Sequence, residues 1–312
     1  MKAIGGYFEL ELRKGEHYHP HAIRLNTARN CFEYVLTARK YKKVYIPYYT
    51  CEVMLQPLVK LGISYEYYSI NERLEPVGGK ILNSDEAFLY TNYFGLKQDY
   101  VERLAQHYGT QLIVDNAQAF YAPRVNGIDT FYSARKFFGV SDGAYLYTDC
   151  TLDIDFKKDI SFGRMQHLLQ RIDEDAEAGY LSFRQNDDAL DYSSIKKMSN
   201  LTSRILESID YFYVKERRLE NFNYLHQQLK EYNLFDIPNS DDVPMVYPFF
   251  TLDVTLKKRL IENKIFVATY WPNVLEWCKE KMIEHTLASQ LIILPIDQRY
   301  DKRSLSRIIN FI

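Results

Sequence analysis

Residues 131–143 read FYSARKFFGVSDG and place a lysine where a β-rich run turns into a loop. Lys136 follows Arg135 directly and Ser133 by three residues, and an Asp142-Gly143 turn comes after it. A lysine becomes a Schiff-base nucleophile only after losing its proton, which partial desolvation and neighbouring positive charge promote. The alternative for Lys136 is a solvated surface charge. A second candidate is Asp115, which ends the apolar run of LIVDNAQ and is followed three residues later by Gln118. In open α/β sheets such strand ends face the ligand crevice. A carboxylate there can keep a pyridine nitrogen protonated, or it can cap the following turn. The third stretch is RLNTARN, residues 24–30. If it opens a helix, the free N–H groups at Thr27, Ala28 and Arg29 can cradle a phosphate, or Thr27 can simply cap the helix.

These residues need elements to hold them. From residue 25 to about 148, β-rich runs alternate with helical periodicity, the pattern of βαβ units around a largely parallel sheet covered by helices on both faces. Thr27 starts a helix reaching Lys40. Strands follow at VYIPYY, ISYEYYSI, EAFLYTNYF, QLIVDNAQAF, DTFYSA and AYLYT, with helices at CEVMLQPLVKLG and DYVERLAQHYG. Residues 150–195 break this rhythm and are expected to form a helix and a mobile loop. One long helix is expected from Ser199 to about residue 232. Alternation then resumes with strands at MVYPFFTLD, IFVATYW and LIILPI, and helices at TLKKRLIENK, EWCKEKMIEHTLASQ and KRSLSRIINFI. The expected division is a large domain over 1–210 and a small C-terminal α/β domain over 211–312.

Composition narrows the function classes. The 312 residues carry 39 Lys and Arg against 41 Asp and Glu, a formal charge of -2, which argues against nucleic-acid or anionic-membrane binding and for small-molecule chemistry. The 4 cysteines are widely spaced, so neither a zinc site nor a disulfide framework is expected. The absence of a signal-like N-terminus and of a membrane-length apolar run adds the expectation of a cytoplasmic protein. His17, His19 and His21 in HYHPH are read as packed or solvated rather than as metal ligands, and no metal is expected. The fingerprints of nicotinamide and nucleoside-triphosphate enzymes are missing. Ser133-x-x-Lys136 also matches serine acyl enzymes, but S-D-N and K-T-G do not accompany it.

Taken together, LNTARN, VYIPYYTCEVMLQPLVKLG, TNYFG, VDNAQAF, YSARKFFGVSDGAYL and LPIDQRY resemble, in order and spacing, the DegT/DnrJ/EryC1/StrS aminotransferases. The resemblance implies a fold-type-I α/β enzyme with a mostly parallel mixed sheet, pyridoxal 5′-phosphate as cofactor, and transfer of an amino group from glutamate to a nucleotide-linked keto sugar. It implies that Lys136 forms the Schiff base, Asp115 partners the pyridinium nitrogen and Gln118 contacts the ring's 3-oxygen. Thr27, Ala28 and Ser133 fall at phosphate-contacting positions, Asn92 and Tyr93 on the substrate side, and Tyr49 or Cys51 where an aromatic covers the ring. Cys51 and Ala28 depart from the usual aromatic and glycine, and the spacing from Ser133 to Lys136 is shorter than in most sugar aminotransferases. Arg299 is the candidate for a substrate carboxylate or phosphate, with an ion pair to Asp297 or Asp301 as the alternative. A homodimer is expected, with the segment Met198–Asn200 serving the partner's site. The rival readings are a non-catalytic binding module of the same fold and a pyridoxal-phosphate enzyme of another reaction, such as dehydration.

Overall fold

The computed structural model describes residues 4–238 and 241–312. The chain runs β1 (Ile23–Leu25), α1 (Ala28–Arg39), β2 (Lys43–Pro47), α2 (Leu55–Leu61), β3 (Ser64–Tyr68), β4 (Glu86–Thr91), α3 (Gln98–Tyr108), β5 (Leu112–Asn116), β6 (Asp129–Ser133) and β7 (Ala144–Tyr147). It continues through α4 (Gln166–Asp173), α5 (Tyr180–Asp188), α6 (Asn200–Glu207), α7 (Tyr211–Leu229), β8 (Val246–Phe250), α8 (Leu256–Glu262), α9 (Pro272–Trp277), α10 (Ile283–Gln290), β9 (Leu291–Pro295) and α11 (Lys302–Ile309).

The first seven strands form one sheet in the order β1-β7-β6-β5-β4-β2-β3. The pairs β2–β3, β2–β4, β4–β5 and β5–β6 are parallel, whereas β6–β7 and β7–β1 are antiparallel. Parallel neighbours bury both faces, which explains why β4 and β5 are buried throughout and apolar through their middles. One face packs against α1 through Phe32, Val35, Leu89, Ile113 and Phe131. The other carries Tyr90, Val114, Tyr132 and Tyr145 and joins the apolar side of α3 and α7 in the larger core. A bidentate pair ties the end of α1 to the start of β6, with Arg39 Nε and Nη2 donating to the fully buried Asp129 carboxylate at 2.8 and 3.0 Å.

The alternating pattern before residue 148 predicts these elements in order and type, except that β1 carries no such signal, being too short and defined by its pairing with β7 and a bridge from Leu25 to Lys197. Four expectations fail. Residues 150–195 contain two helices, α4 and α5. The expected long helix breaks between α6 and α7, where Asp210 accepts a hydrogen bond from the Tyr213 N–H at 3.0 Å and starts a new helix. The expected helix over 276–290 divides into α9 and α10, Cys278 being extended at the end of the first. IFVATYW forms no strand, only a single bridge from Ala268 to Ile293, so β8 and β9 stand as an antiparallel pair.

The loop joining β6 to β7 is pinned at Asp142. Its buried carboxylate accepts from the Ser199 N–H and hydroxyl, each at 2.8 Å, and from the Thr202 hydroxyl. Gly143 beside it has φ +116°, and a Cβ there would lie 2.9 Å from Thr202 Cγ2. Asp142→Ala leaves three buried donors without their acceptor, for an expected loss of roughly 3 kcal/mol or more in urea unfolding. Gly143→Ala is expected to destabilise as well, through the clash and the backbone conformation together.

Candidate active site

Strand alternation brings three polar side chains to one face at the carboxyl ends of the central strands. Thr91 and Phe131 both stand in register with Asp115, and Ser133 lies two residues beyond Phe131. This is the face that α1 covers. Thr27 caps α1, its hydroxyl accepting from the Asn30 N–H at 3.1 Å, and the Asn26 carbonyl just before it accepts from the Gly143 N–H at 2.6 Å. The helix mouth and the lysine loop are thereby bonded to each other.

Asp115 is 5% exposed and accepts from the Ala117 N–H at 2.8 Å. Burial raises its carboxyl to about 6, against the opposing pull of the Ala117 N–H and of Lys136. Gln118 is buried too. Its Oε1 accepts from the Phe94 N–H at 2.8 Å, while its Nε2 has no partner among the described residues. Lys136 ends a single turn of 3-10 helix over Ala134–Lys136 and is exposed. Its ammonium lies 5.6 Å from the Tyr270 ring centroid. Its field reaches both Asp115 and Cys51, whose thiol is pushed up by burial and drawn down by Lys136.

Lys136 also lines a cleft of about 1130 Å³ together with Phe137, His167, Arg218, Tyr270 and Arg299. Neither Asp115 nor Gln118 is among its walls, whereas Lys136 lines the cleft and its charge reaches Asp115. The cleft is electropositive, with Arg135, Lys136, Arg171, Arg218 and Arg299 set against Glu177 and Asp297.

The remaining candidates are placed as follows. Arg29 is buried at the mouth of α1, donating to Gln56 Oε1 at 2.7 Å and pairing with Asp191. Tyr49 is fully buried between Tyr93 and Trp271, with ring centroids 5.6 and 5.0 Å away. Asn92 is fully buried and accepts from the Lys97 N–H at 3.0 Å near the start of α3. Tyr93, equally buried, donates its hydroxyl to the Tyr49 carbonyl at 2.9 Å. Asn200 is exposed on α6 and accepts from Lys158 at 2.7 Å. Arg299 makes a bidentate pair with Asp297 at 2.7 and 2.9 Å.

The histidines of HYHPH divide. His17 is buried against the Tyr145 hydroxyl at 2.6 Å, His19 against the Phe120 carbonyl at 2.9 Å, and His21 is exposed. Among the described residues there is no group of three or more metal-ligating side chains, and no helix is long and apolar enough to cross a membrane. Sequence reasoning did not find His167, Arg218, Tyr270 or Gln298 beside Lys136. They lie on distant segments, and no spacing in the sequence marks them.

No protein-family model matches the chain, and no curated protein matches it. Solved structures do. The S. venezuelae protein DesV, solved with a ketimine intermediate, is 16% identical with a TM-score of 0.63, covering 93% of this chain and 83% of its own. The sugar aminotransferase CalS13 from Micromonospora echinospora is 13% identical with a TM-score of 0.64, over 94% and 86%. A DegT DnrJ EryC1 StrS aminotransferase from Brucella abortus is 15% identical with a TM-score of 0.63, over 93% and 84%. The chain has the fold of these enzymes, the fold-type-I aminotransferase architecture.

The raised carboxyl of Asp115 gives a stability test. The unfolded chain ionises near 3.8 and the folded one near 6, so the native state holds the extra proton and loses relative stability as pH rises between them. Asp115→Asn without added ligand is expected to unfold at higher denaturant than wild type at pH 8, by up to about 3 kcal/mol. The gap should close below pH 4, where both states of the wild type are protonated.

Proposed function

We propose that the protein is a pyridoxal-phosphate-dependent aminotransferase that moves an amino group from an amino acid, glutamate in the first instance, to the keto group of a nucleotide-linked sugar. The observation that carries this reading is the placement of Lys136 within the field of a buried Asp115, at the carboxyl ends of adjacent strands. The likeness in fold to proteins named as sugar aminotransferases supports it.

The residues present fit the cofactor. Asp115 is poised to receive a protonated ring nitrogen, since a cation beside it would offset the desolvation that raises its carboxyl. The unpartnered Gln118 amide offers a donor for a ring oxygen. The N–H groups at the mouth of α1 and the Ser133 hydroxyl on the same face would take the phosphate. When bound, pyridoxal phosphate supplies an electron-poor ring that stabilises negative charge on the carbon bearing the amine. Lys136 would have two tasks, holding the group through Nζ and carrying a proton from and to the substrate carbon. Cys51 cannot stack as an aromatic would, and the Tyr49 ring contributes from within the core. The positive cleft suits an anionic donor and a phosphorylated acceptor.

Finer expectations belong to the same proposal. These are a division near residue 210, a homodimer in which the Met198–Asn200 segment serves the partner's site, a cytoplasmic setting, and a role in polysaccharide or glycan biosynthesis.

The test is an absorbance spectrum of the purified protein with pyridoxal phosphate, before and after excess glutamate, beside Lys136→Ala and Asp115→Asn. Wild type is expected to gain a visible band that glutamate bleaches. Lys136→Ala should gain none. Asp115→Asn should take up the cofactor yet transaminate at least about 100-fold more slowly, the scale of loss when a group stabilising developing charge is removed. No band in wild type would sink the reading and favour a non-catalytic binding module.

A further inference from the structure

Arg218, on α7, is 1% exposed and lines the cleft beside Lys136. No carboxylate lies within ion-pair distance of it among the described residues. Its Nη1 donates to the Met245 carbonyl at 2.9 Å, and its Nε has no partner among the described residues. Burial draws the guanidinium down to about 10, with Asp297 opposing the shift and Arg299 adding to it. A buried cation held this way is expensive, and an apolar side chain of the same volume would fill the space more cheaply.

Its planar face shows what the charge does. The guanidinium carbon lies 4.5 Å from the centroid of the Phe137 ring. A second side chain reaches the same residue, as Gln298 Nε2 donates to the Phe137 carbonyl at 2.9 Å. Phe137 directly follows Lys136. Upstream, the turn that carries the lysine is held by the Ala134 N–H donating to the Gly143 carbonyl at 3.1 Å, and by the Phe137 N–H donating to the Ala134 carbonyl at 3.1 Å. On the downstream side, ring and carbonyl are gripped by two residues from the C-terminal third of the chain.

We propose that Arg218 and Gln298 are positioning residues that set the direction of the Lys136 side chain by clamping Phe137. The inference rests on the aminotransferase reading for its consequence in catalysis, but not for its geometry. Arg218 keeps its charge because a cation over an aromatic face, shielded from water, fixes that ring more firmly than an aliphatic contact would. Displacing the lysine stem by about 1 Å is enough to cost on the order of 100-fold in rate.

The test uses the full chain as wild type, R218K, R218M and Q298L. The deciding readout needs no cofactor. It is the rate of reductive methylation at Lys136, followed by peptide mapping, with the exposed Lys279 and Lys281 as internal references. The expected result is at least a threefold change at Lys136 in R218M and Q298L, an intermediate change in R218K, and none at the references. An unchanged Lys136 rate would overturn the proposal, whether or not the wild type takes up pyridoxal phosphate.

Loaded enzyme supplies the second arm. The expected pattern is a drop in kcat of about 10- to 100-fold, an altered pH dependence of the visible band, and a donor KM within about twofold of wild type. A donor KM raised about tenfold or more at unchanged kcat would mean that Arg218 binds the substrate anion directly, and would also overturn the proposal. Should R218M fail to fold, Q298L removes one hydrogen bond and no charge and decides the question alone. A wild type without a visible band, together with the methylation change, would reject the aminotransferase and leave the clamp standing.

Discussion

The carboxylate of Asp142 is the contact on which the candidate site most depends. It holds the start of α6 through Ser199 and Thr202, and the glycine beside it bonds to two further segments, giving its N–H to the Asn26 carbonyl and its carbonyl to the Ala134 N–H. The mouth of α1, the turn carrying Lys136 and the N-terminus of α6 therefore meet at two consecutive residues. The junction leaves little freedom to the backbone beside positions 27, 133 and 136, whose side chains are proposed to share a site. The junction is buried, so each of its polar groups needs its partner.

A second line of bonds runs from the C-terminal region toward the other side of the site. Arg218 donates to the Met245 carbonyl, the Met245 N–H donates to the Phe94 carbonyl at 2.8 Å, and the Phe94 N–H donates to Gln118. Phe94 has a positive φ of 59°, a conformation uncommon for an aromatic residue. It meets Gln118 with its N–H and Met245 with its carbonyl. The structure spends some backbone strain here to keep Gln118 aimed, and the neighbouring Tyr93 and Asn92 are drawn into the core by the same bend.

Much of the first half was legible because parallel strands buried on both faces leave strong apolar runs, separated by helices with clear caps. Lys136 and Asp115 stood out since each sits where such a run ends, and Thr27 because it opens the first helix of the alternating region. The failures have a common physical cause. A strand such as β1 is defined by its partner, Asp210 interrupts an otherwise continuous helical periodicity, and IFVATYW has strand-forming residues without a neighbour to pair with beyond Ala268. Arg218 was invisible for another reason. Nothing in the sequence separates the buried guanidinium of Arg218 from that of Arg217 beside it, which pairs with Glu220 nearer the surface.

The order of the sheet has a consequence for how the site is distributed along the chain. Every residue proposed to touch the cofactor lies before position 137, and the sheet that carries them is complete at β7, by residue 147. Some of the groups that hold those residues in place, Ser199, Thr202, Arg218 and Gln298, come later. A fragment ending near residue 150 would thus contain every group proposed to touch the cofactor and lack these later supports. The proposed recognition of the cofactor lies in the first half of the polypeptide and part of the control over its geometry in the second, so drift in the second half can retune the site while leaving its reactive groups untouched.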